Sequence, residues 1–268
     1  MHIALPSASL AVILTILYVL ILVRPPKKTS PDAALLRDYA HRGLHGGGVP
    51  ENSLKAFELA CEAGYGIELD VQLSRDGHVM VFHDYTLLRM TGRDSLLSEL
   101  DASELAALSL DGTDQTIPTL REVLELVDGR VPILVELKGE DTNTALCEKV
   151  AVLLGEYTGP YCLESFNPLL IGHMKKRLPE TYCGLLYTNV CRDKKKSSLL
   201  NIALTAMALN VVARPDFIAY NKADRDSLPV RITTGLYGAG KAVWTVTTAE
   251  ELDTAHRKGE IPIFEKIV

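Results

Sequence analysis

The stretch Gly66-Ile67-Glu68-Leu69-Asp70-Val71-Gln72 has the pattern of a buried β-strand, yet it carries two acidic residues. Successive side chains of a strand point to opposite faces, so Glu68 and Asp70 share one face. The stretch from Val131 repeats this pattern and places Glu136 and Lys138 on one face. Burying an ionised carboxylate is costly unless a cation compensates for it. The three acids therefore predict a divalent metal ion, a cationic network, or both.

Short apolar runs alternate with amphipathic helical patterns over the rest of the chain. Candidate strands are Tyr39 to His41, Gly66 to Gln72, Val131 to Glu136, Tyr161 to Glu164, Tyr182 to Tyr187, Phe217 to Tyr220, Ala242 to Thr245 and Ile261 to Phe264. Candidate helices are Ser53 to Ala63, Leu120 to Val127, Thr144 to Leu154, Pro168 to Arg177, Ser197 to Leu209, Asp226 to Gly238 and Ala249 to Lys258. This alternation predicts an α/β protein with a (β/α)8 TIM barrel. An open doubly wound sheet is the alternative, although Gly46-Gly47-Gly48 lacks the spacing of a dinucleotide-binding loop.

Charge and cysteine content limit the functional classes. The net charge of −6 gives no reason to expect nucleic-acid binding, and Lys194-Lys195-Lys196 is interpreted as a solvated surface run. The five cysteines are odd in number and lack the spacing of a metal site. They are predicted to be structural thiols in a reducing compartment.

The N-terminal segment is strongly apolar. No charged residue occurs from Ile3 to Val23, and about 20 helical residues can span a hydrocarbon core of roughly 30 Å. A cleaved signal peptide is the competing interpretation, but no Lys or Arg precedes the apolar run and no small-x-small cleavage site closes it. The segment therefore predicts a transmembrane helix.

Basic residues follow this segment, and the positive-inside rule places that flank in the cytoplasm. They are Arg24, Lys27, Lys28 and Arg37. The predicted organisation is a transmembrane anchor at 1–24, a linker at 25–37 and a barrel domain at 38–268. The protein is thus predicted to lie at the cell membrane as a single-pass protein with a cytoplasmic catalytic domain.

Two histidines flank the acidic strand. His41 ends the first candidate strand, and His83 follows the second one after the Asp76-Gly77 turn. A pair of imidazoles beside a phosphate can supply a base and an acid in one turnover. Arg42 and Lys138 would add fixed positive charge for phosphate oxygens. These residues fall at the carboxyl ends of strands, where barrel enzymes carry their catalytic groups.

These motifs together resemble the glycerophosphodiester phosphodiesterase family, from about Tyr39 to the end of the chain. The motifs are His41-Arg42-Gly43, Pro50-Glu51-Asn52-Ser53, Glu68-Leu69-Asp70-Val71, Asp76-Gly77, His83-Asp84, Pro118-Thr119-Leu120, Glu136-Leu137-Lys138, Ser165-Phe166 and Trp244-Thr245-Val246. Their number and order make the resemblance specific. It implies a phosphodiesterase barrel that hydrolyses glycerophosphodiesters to glycerol 3-phosphate and an alcohol.

The resemblance also implies roles for single residues. One divalent cation, Mg²⁺ or Ca²⁺, would be held by Glu68, Asp70 and Glu136, and hard oxygen ligands favour these ions over zinc independently. His41 and His83 would be the catalytic pair, with His41 our choice as base. The residues implied to line the substrate site are Arg42, Glu51, Asn52 and Lys138. Phe166 and Trp244 are further substrate-binding candidates, with plain barrel-top core as the alternative.

The end of the chain departs from the family pattern. It lacks the terminal aspartate common there and offers Phe264-Glu265 instead, so a surface salt bridge and a site contact both stay open for Glu265. The other histidines are predicted to be solvent-facing or capping residues. They are His45, His78, His173 and His256.

Three functional hypotheses follow. The first is a membrane-tethered, metal-dependent phosphodiesterase acting on small glycerophosphodiesters. The second is a lysophospholipase D acting on lysophospholipids at the membrane. The third is a non-catalytic, membrane-associated barrel, which would not need paired proton donors and acceptors.

Overall fold

A closed parallel barrel forms the body of the protein. The computed structural model describes residues 4–23, 31–139 and 141–265. Its strands are β1 (Tyr39–Ala40), β2 (Gly66–Leu73), β3 (Val79–Val81), β4 (Ile133–Leu137), β5 (Tyr161–Ser165), β6 (Cys183–Tyr187), β7 (Phe217–Asn221), β8 (Gly240–Val246) and β9 (Ile261–Phe264). All except β3 pair in parallel, and β1 pairs with both β2 and β9, which closes the sheet. The predicted (β/α)8 barrel is confirmed.

Over the residues that the structure describes, one α-helix precedes β1, and the other α-helices lie in the connections between strands. The α-helices are α1 (Ala4–Leu17), α2 (Leu54–Ala63), α3 (Leu88–Thr91), α4 (Ala102–Leu105), α5 (Leu120–Val127), α6 (Ala145–Glu156), α7 (Pro168–Arg177), α8 (Val190–Asp193), α9 (Leu199–Thr205), α10 (Asn210–Ala213), α11 (Leu228–Val230) and α12 (Ala249–Arg257). Two predicted helices are shorter than expected. The pattern from Ser197 to Leu209 forms only α9, and α10 begins just beyond it at Asn210. The pattern from Asp226 forms α11 and a π-helical turn at Arg231–Leu236.

The loop after β1 packs tightly against α2. The helix begins after Ser53, whose Oγ accepts a hydrogen bond from the backbone N–H of Ala56 over 3.2 Å. Gly43 has a φ of +80°, and a Cβ there would lie 2.9 Å from Ala56 and Phe57. Only glycine combines this backbone conformation with so close an approach. The residues on either side of Gly43 are thereby held at the mouth of the barrel.

An additional layer covers the barrel beside β2. The turn at Gly77 leads into β3, which pairs antiparallel with β2. The segment that follows has its own apolar cluster, in which Leu87, Leu105 and Ile117 are fully buried. This cluster supports the loop that carries His83.

The predicted membrane-spanning helix at 1–24 is not supported. Within the described part of the chain, no helix is long and apolar enough to cross a bilayer. The single-pass anchor is therefore not supported by the part of the chain that the structure describes. Residues 25–30 of the predicted linker, and residues 1–3 and 24 of the predicted anchor, lie outside the described residues.

The turn after α1 instead packs on the barrel. A π-helical turn follows at Tyr18–Leu22, and the Tyr18 hydroxyl donates to the backbone oxygen of Ala206 over 2.8 Å. The Tyr237 hydroxyl donates to the oxygen of Val19 over 2.6 Å, and the Asn210 amide to that of Val23 over 3.0 Å. The end of the apolar segment is therefore tied to the helices that surround β7.

Candidate active site

Three carboxylates converge inside the mouth of the barrel. Glu68 and Asp70 project from β2, and Glu136 projects from β4, where it is the register partner of Asp70. The exposed fractions of these residues are 1%, 0% and 7%. One oxygen of each lies within 4.8 Å of the other two. The strand alternation seen in the sequence thus brings the predicted trio together.

Two fixed cations lie against this trio. The Lys138 ammonium is 2.8 Å from Oδ1 of Asp70 and 2.7 Å from Oε1 of Glu136. Arg42 donates its backbone N–H to Oε2 of Glu68 over 2.9 Å, and its Nε is 3.5 Å from Oδ2 of Asp70. The sequence predicted that a divalent metal ion, a cationic network, or both would compensate for the burial of these acids. The cationic network is present.

The three carboxylates of the trio differ in the direction in which their pKa values are shifted. Burial opposes the ionisation of Asp70, but the positive charges of Lys138, His83 and Arg42 outweigh it and hold the pKa of Asp70 well below its usual range. Burial raises the pKa of Glu136 to about 7 despite the opposing charge of Lys138. Burial and the charge of Asp70 raise the pKa of Glu68 well above its usual value. The positive charge of the neighbouring side chains therefore keeps Asp70 ionised but is not enough to keep all three carboxylates ionised.

A fourth buried carboxylate, Glu164, was missed as a site residue. It is the register partner of Glu136 on β5, is 1% exposed, and its Oε2 has no hydrogen-bond partner in the described part of the chain. Burial, followed by the charge of Glu136, raises its pKa well above the usual value. The sequence did contain a signal, because Glu164 ends an apolar run much as Glu136 does.

The trio fits a hard divalent cation. Oxygen ligands lie about 2.3 to 2.6 Å from Ca²⁺, so two ligands of one such ion are at most about 5 Å apart. They lie about 2.0 to 2.1 Å from Mg²⁺, for which the limit is about 4.2 Å. The ligand oxygens of Glu68, Asp70 and Glu136 lie within 4.8 Å of one another, which meets the limit for Ca²⁺, whereas Mg²⁺ would require them within about 4.2 Å. The raised pKa values of Glu68 and Glu136 indicate that the nearby side chains supply too little positive charge to keep both carboxylates ionised. The two positive charges of a divalent cation would supply it.

His83 is held by a network that reaches across the mouth. Its Nδ1 faces Oδ1 of Asp84 at 2.6 Å. Arg89 donates to the other oxygen of Asp84 over 2.6 Å and to Oε1 of Glu51 over 2.6 Å. Glu51 also accepts a hydrogen bond from Arg42 over 2.8 Å. Burial lowers the pKa of His83, although the charge of Asp70 acts in the opposite direction.

His41 lies on the other side of the carboxylate trio. Its Nε2 is 3.9 Å from Oε2 of Glu68, and its Nδ1 is 3.9 Å from Oε2 of Glu265. The prediction that His45 is solvent-facing is wrong, because its side chain is only 10% exposed and its Nε2 is 3.2 Å from Oε1 of Glu265. Of the two options left open for Glu265, the structure favours a site contact.

Asn52 supports the acidic trio from the loop before α2. It is 1% exposed, and its Nδ2 donates to Oδ2 of Asp70 over 2.8 Å. Asn52 and Arg42 both adopt positive φ angles, of 53° and 58°. Asparagine tolerates this conformation, whereas Arg42 is held in it by its contacts with Glu68 and Glu51.

The two aromatic candidates lie together at the rim. The rings of Phe166, after β5, and Trp244, on β8, have centroids 5.7 Å apart and are nearly perpendicular. Phe166 is 42% exposed, while the indole N–H of Trp244 donates to the backbone oxygen of Ala219 over 2.9 Å. The pair offers an apolar surface beside the polar site.

Comparisons with known proteins agree with this fold. The model of the glycerophosphoryl diester phosphodiesterase family matches residues 41–264. A glycerophosphodiester phosphodiesterase of Caldanaerobacter subterraneus is 36% identical over 159 residues, which are 55% of this chain and 65% of the relative. A lysophospholipase D of Rattus norvegicus is 35% identical over 136 residues, or 46% and 42% of the two chains.

Among solved structures, a phosphodiesterase of Oleispira antarctica in complex with the product sn-glycerol-3-phosphate has a TM-score of 0.70 and 25% identity. That match covers 85% of this chain and 92% of the other. Each of the two curated relatives is matched over less than two thirds of its length. Since the family model covers nearly all of the barrel, the chain belongs to the glycerophosphoryl diester phosphodiesterase family.

Proposed function

We propose that residues 38–268 hydrolyse glycerophosphodiesters to glycerol 3-phosphate and an alcohol. The observation that carries this proposal is the convergence of Glu68, Asp70 and Glu136 within 4.8 Å, beside two histidines and two fixed cations. A binding module would not need a paired proton donor and acceptor such as His41 and His83. The product-bound relative of the same fold supports the same substrate class.

A divalent cation, Mg²⁺ or Ca²⁺, held by Glu68, Asp70 and Glu136 would supply positive charge to a phosphate oxygen and lower the pKa of a nearby hydroxyl. Lys138 and Arg42 would add charge to the other phosphate oxygens. Burial of this cluster in the barrel strengthens each of these interactions relative to water.

In the first step, the glycerol 2-hydroxyl attacks phosphorus while His41 accepts its proton. A bond forms from this oxygen to phosphorus, and the bond from phosphorus to the alcohol oxygen breaks. His83 protonates the departing alcohol, leaving a cyclic glycerophosphate. Nδ1 of His83 faces Asp84, so the other ring nitrogen remains for the substrate.

In the second step, water opens the cyclic phosphate by the reverse path. His83 accepts a proton from the attacking water, and His41 returns its proton to the glycerol 2-oxygen. Both histidines thereby regain their starting states. The sum of the two steps is hydrolysis of one phosphodiester bond.

Lysophospholipids are the second candidate substrates. This alternative is favoured by the rat lysophospholipase D, which is 35% identical over its matched segment, and by the exposed Phe166 ring beside the site. The acyl chain of a lysolipid would gain apolar contacts at the rim that a deacylated diester cannot make. A preference for the lysolipid of about tenfold or more in kcat/KM would reassign the substrate.

The activity is tested with glycerophosphocholine, glycerophosphoethanolamine and the corresponding lysolipids, with release of each product measured. Turnover should disappear with EDTA and return with Mg²⁺ or Ca²⁺. His41→Gln and His83→Gln should each lower kcat by about 10²- to 10⁴-fold. His173→Gln is the matched control, because this histidine is paired with Glu148 outside the barrel mouth. A chain with no turnover of any of these substrates under either metal would support the non-catalytic barrel instead.

A further inference from the structure

Glu265 lies beside His41 because three neighbouring strands end at the same edge. The backbone N–H of Glu265 donates to the oxygen of Val246 at the end of β8 over 2.8 Å. The backbone N–H of His41 donates to the oxygen of Phe264 at the end of β9 over 2.9 Å. These bonds fix the backbone on both sides of the Glu265 side chain, so closure of the barrel places this carboxylate.

The Glu265 carboxylate lies between two imidazoles. Its Oε2 is 3.9 Å from Nδ1 of His41, and its Oε1 is 3.2 Å from Nε2 of His45. Both ring nitrogens are buried and have no hydrogen-bond partner in the part of the chain that the structure describes. Glu265 itself is 27% exposed, His41 17% and His45 10%. A carboxylate is the group best suited to both nitrogens.

A carboxylate faces Nδ1 of each of the two catalytic candidates, His83 and His41. On one side, Nδ1 of His83 faces the Asp84 carboxylate at 2.6 Å. On the other, Nδ1 of His41 faces the Glu265 carboxylate, and Nε2 of His41 points towards Glu68. A carboxylate on one nitrogen fixes the tautomer and leaves the second nitrogen available for proton transfer. Catalytic hydrogen bonds are often long without substrate, so a separation of 3.9 Å is compatible with this role.

We propose that Glu265 is a positioning residue for His41 and that His45 fixes the Glu265 carboxylate. This inference rests on the proposed phosphodiesterase function. Glu265 acts through His41 and does not contact the substrate. His45 lies on the loop after β1, where its backbone N–H donates to the oxygen of Gly43 over 3.0 Å.

The first test compares Glu265→Gln with wild type on glycerophosphocholine. The glutamine amide keeps the shape of the side chain but loses its charge. We therefore expect kcat to fall about 10- to 100-fold, as for other residues that orient a functional side chain without contacting the substrate. KM should stay within about threefold of the wild-type value. Glu265→Asp keeps the charge and should recover part of the lost kcat. Glu148→Gln is the matched control, because Glu148 pairs with His173 at 2.6 Å outside the site, and it should keep the wild-type kcat.

The second test uses an activated ester, glycerol 3-phosphate p-nitrophenyl ester, whose leaving group needs no proton. A variant impaired in donating that proton regains activity on this ester, whereas one impaired in accepting the first proton does not. The ratio of the two activities of Glu265→Gln should follow that of His41→Gln and differ from that of His83→Gln. This criterion holds whichever histidine is the base.

The outcomes separate the two proposals. An inactive wild-type chain contradicts the phosphodiesterase function and this inference with it. An active wild type with an unchanged Glu265→Gln overturns the inference alone. The inference is also overturned if the activity ratio of Glu265→Gln matches that of His83→Gln. It is overturned as well if Glu265→Asp recovers no kcat while Glu265→Gln and Glu265→Asp both keep the wild-type thermal midpoint.

Discussion

Nε of Arg89 donates a hydrogen bond to Oδ2 of Asp84 over 2.6 Å, while the other oxygen of the same carboxylate faces Nδ1 of His83 at 2.6 Å. Arg89 therefore orients the group that orients His83. Through Glu51, the same guanidinium is also connected to Arg42. The two sides of the barrel mouth are linked by one chain of charge-assisted hydrogen bonds.

Asp84→Asn tests the role of this carboxylate. Burial lowers the pKa of His83, and the Asp84 hydrogen bond opposes that effect. Removing the charge lowers this pKa further, so the protonated ring needed to protonate the leaving alcohol persists only at lower pH. We expect kcat near pH 7 to fall about 10- to 100-fold and the alkaline limb of its pH profile to move to lower pH.

The matched control for Asp84 is Asp76→Asn, because Asp76 also lies beside a histidine, His78, at 3.2 Å but in an exposed turn. Its kcat profile should match the wild type. A profile of Asp84→Asn that superposes on the wild type would contradict the assignment of Asp84.

Lys138→Met tests the compensation of the buried acids. Without the ammonium, Asp70 and Glu136 lose the partner that lies within 2.8 Å of both. We expect the free energy of unfolding in EDTA to fall by about 3 to 5 kcal/mol. Mg²⁺ or Ca²⁺ should restore part of this loss, because a ligand of the folded state stabilises it. Urea unfolding with and without each ion measures both effects.

Lys222→Met is the control for Lys138, because Lys222 pairs with Glu251 with both side chains about one third exposed. Its cost should be at most about 1 kcal/mol and should not depend on the ion. Equal losses for the two lysine variants would argue against a buried acidic cluster that depends on Lys138.

Glu164→Gln tests the fourth carboxylate through the pH dependence of stability. Burial raises the pKa of Glu164 well above its usual value, so the folded state keeps a proton that the unfolded state releases. Between the two pKa values, stability falls as pH rises, by at most about 1.4 kcal/mol per pH unit. Glutamine cannot ionise and lacks this slope.

In EDTA, Glu164→Gln should therefore match the wild type near pH 4 and be increasingly more stable towards pH 7. Denaturant unfolding at a series of pH values measures the difference. A difference that stays constant over this range would rule out a raised pKa at Glu164.

Gly43→Ala tests the close packing of the loop that carries His41. A methyl group would lie 2.9 Å from Ala56 and Phe57, in a backbone with a φ of +80°. Gly64→Ala is the matched control, since its φ is +75° but a Cβ there meets no atom within 4 Å. We expect a loss of about 1 to 2 kcal/mol at Gly64 and a further 1 to 3 kcal/mol at Gly43 in urea unfolding. Equal losses would contradict the contact with α2.

The sequence was most informative where local pattern determines structure. Apolar runs broken by polar helices predicted the barrel, and alternation along β2 and β4 was enough to group Glu68, Asp70 and Glu136. For the apolar N-terminal segment, hydropathy alone does not reveal that Tyr18 bonds to Ala206, far away in the sequence. Local pattern also could not reveal the His45–Glu265 contact, because it depends on the closure of β9 against β1.

The two-residue strand β1 joins β2 to β9 and completes the ring of strands. His41 follows β1 and Glu265 follows β9, so the groups around one imidazole come from opposite ends of the barrel sequence. During synthesis, a nascent chain would already carry both histidines and all the acids of the trio while its first strand still lacked a neighbour. The surroundings of His41 would then be complete only once β9 has been synthesised and has paired with β1.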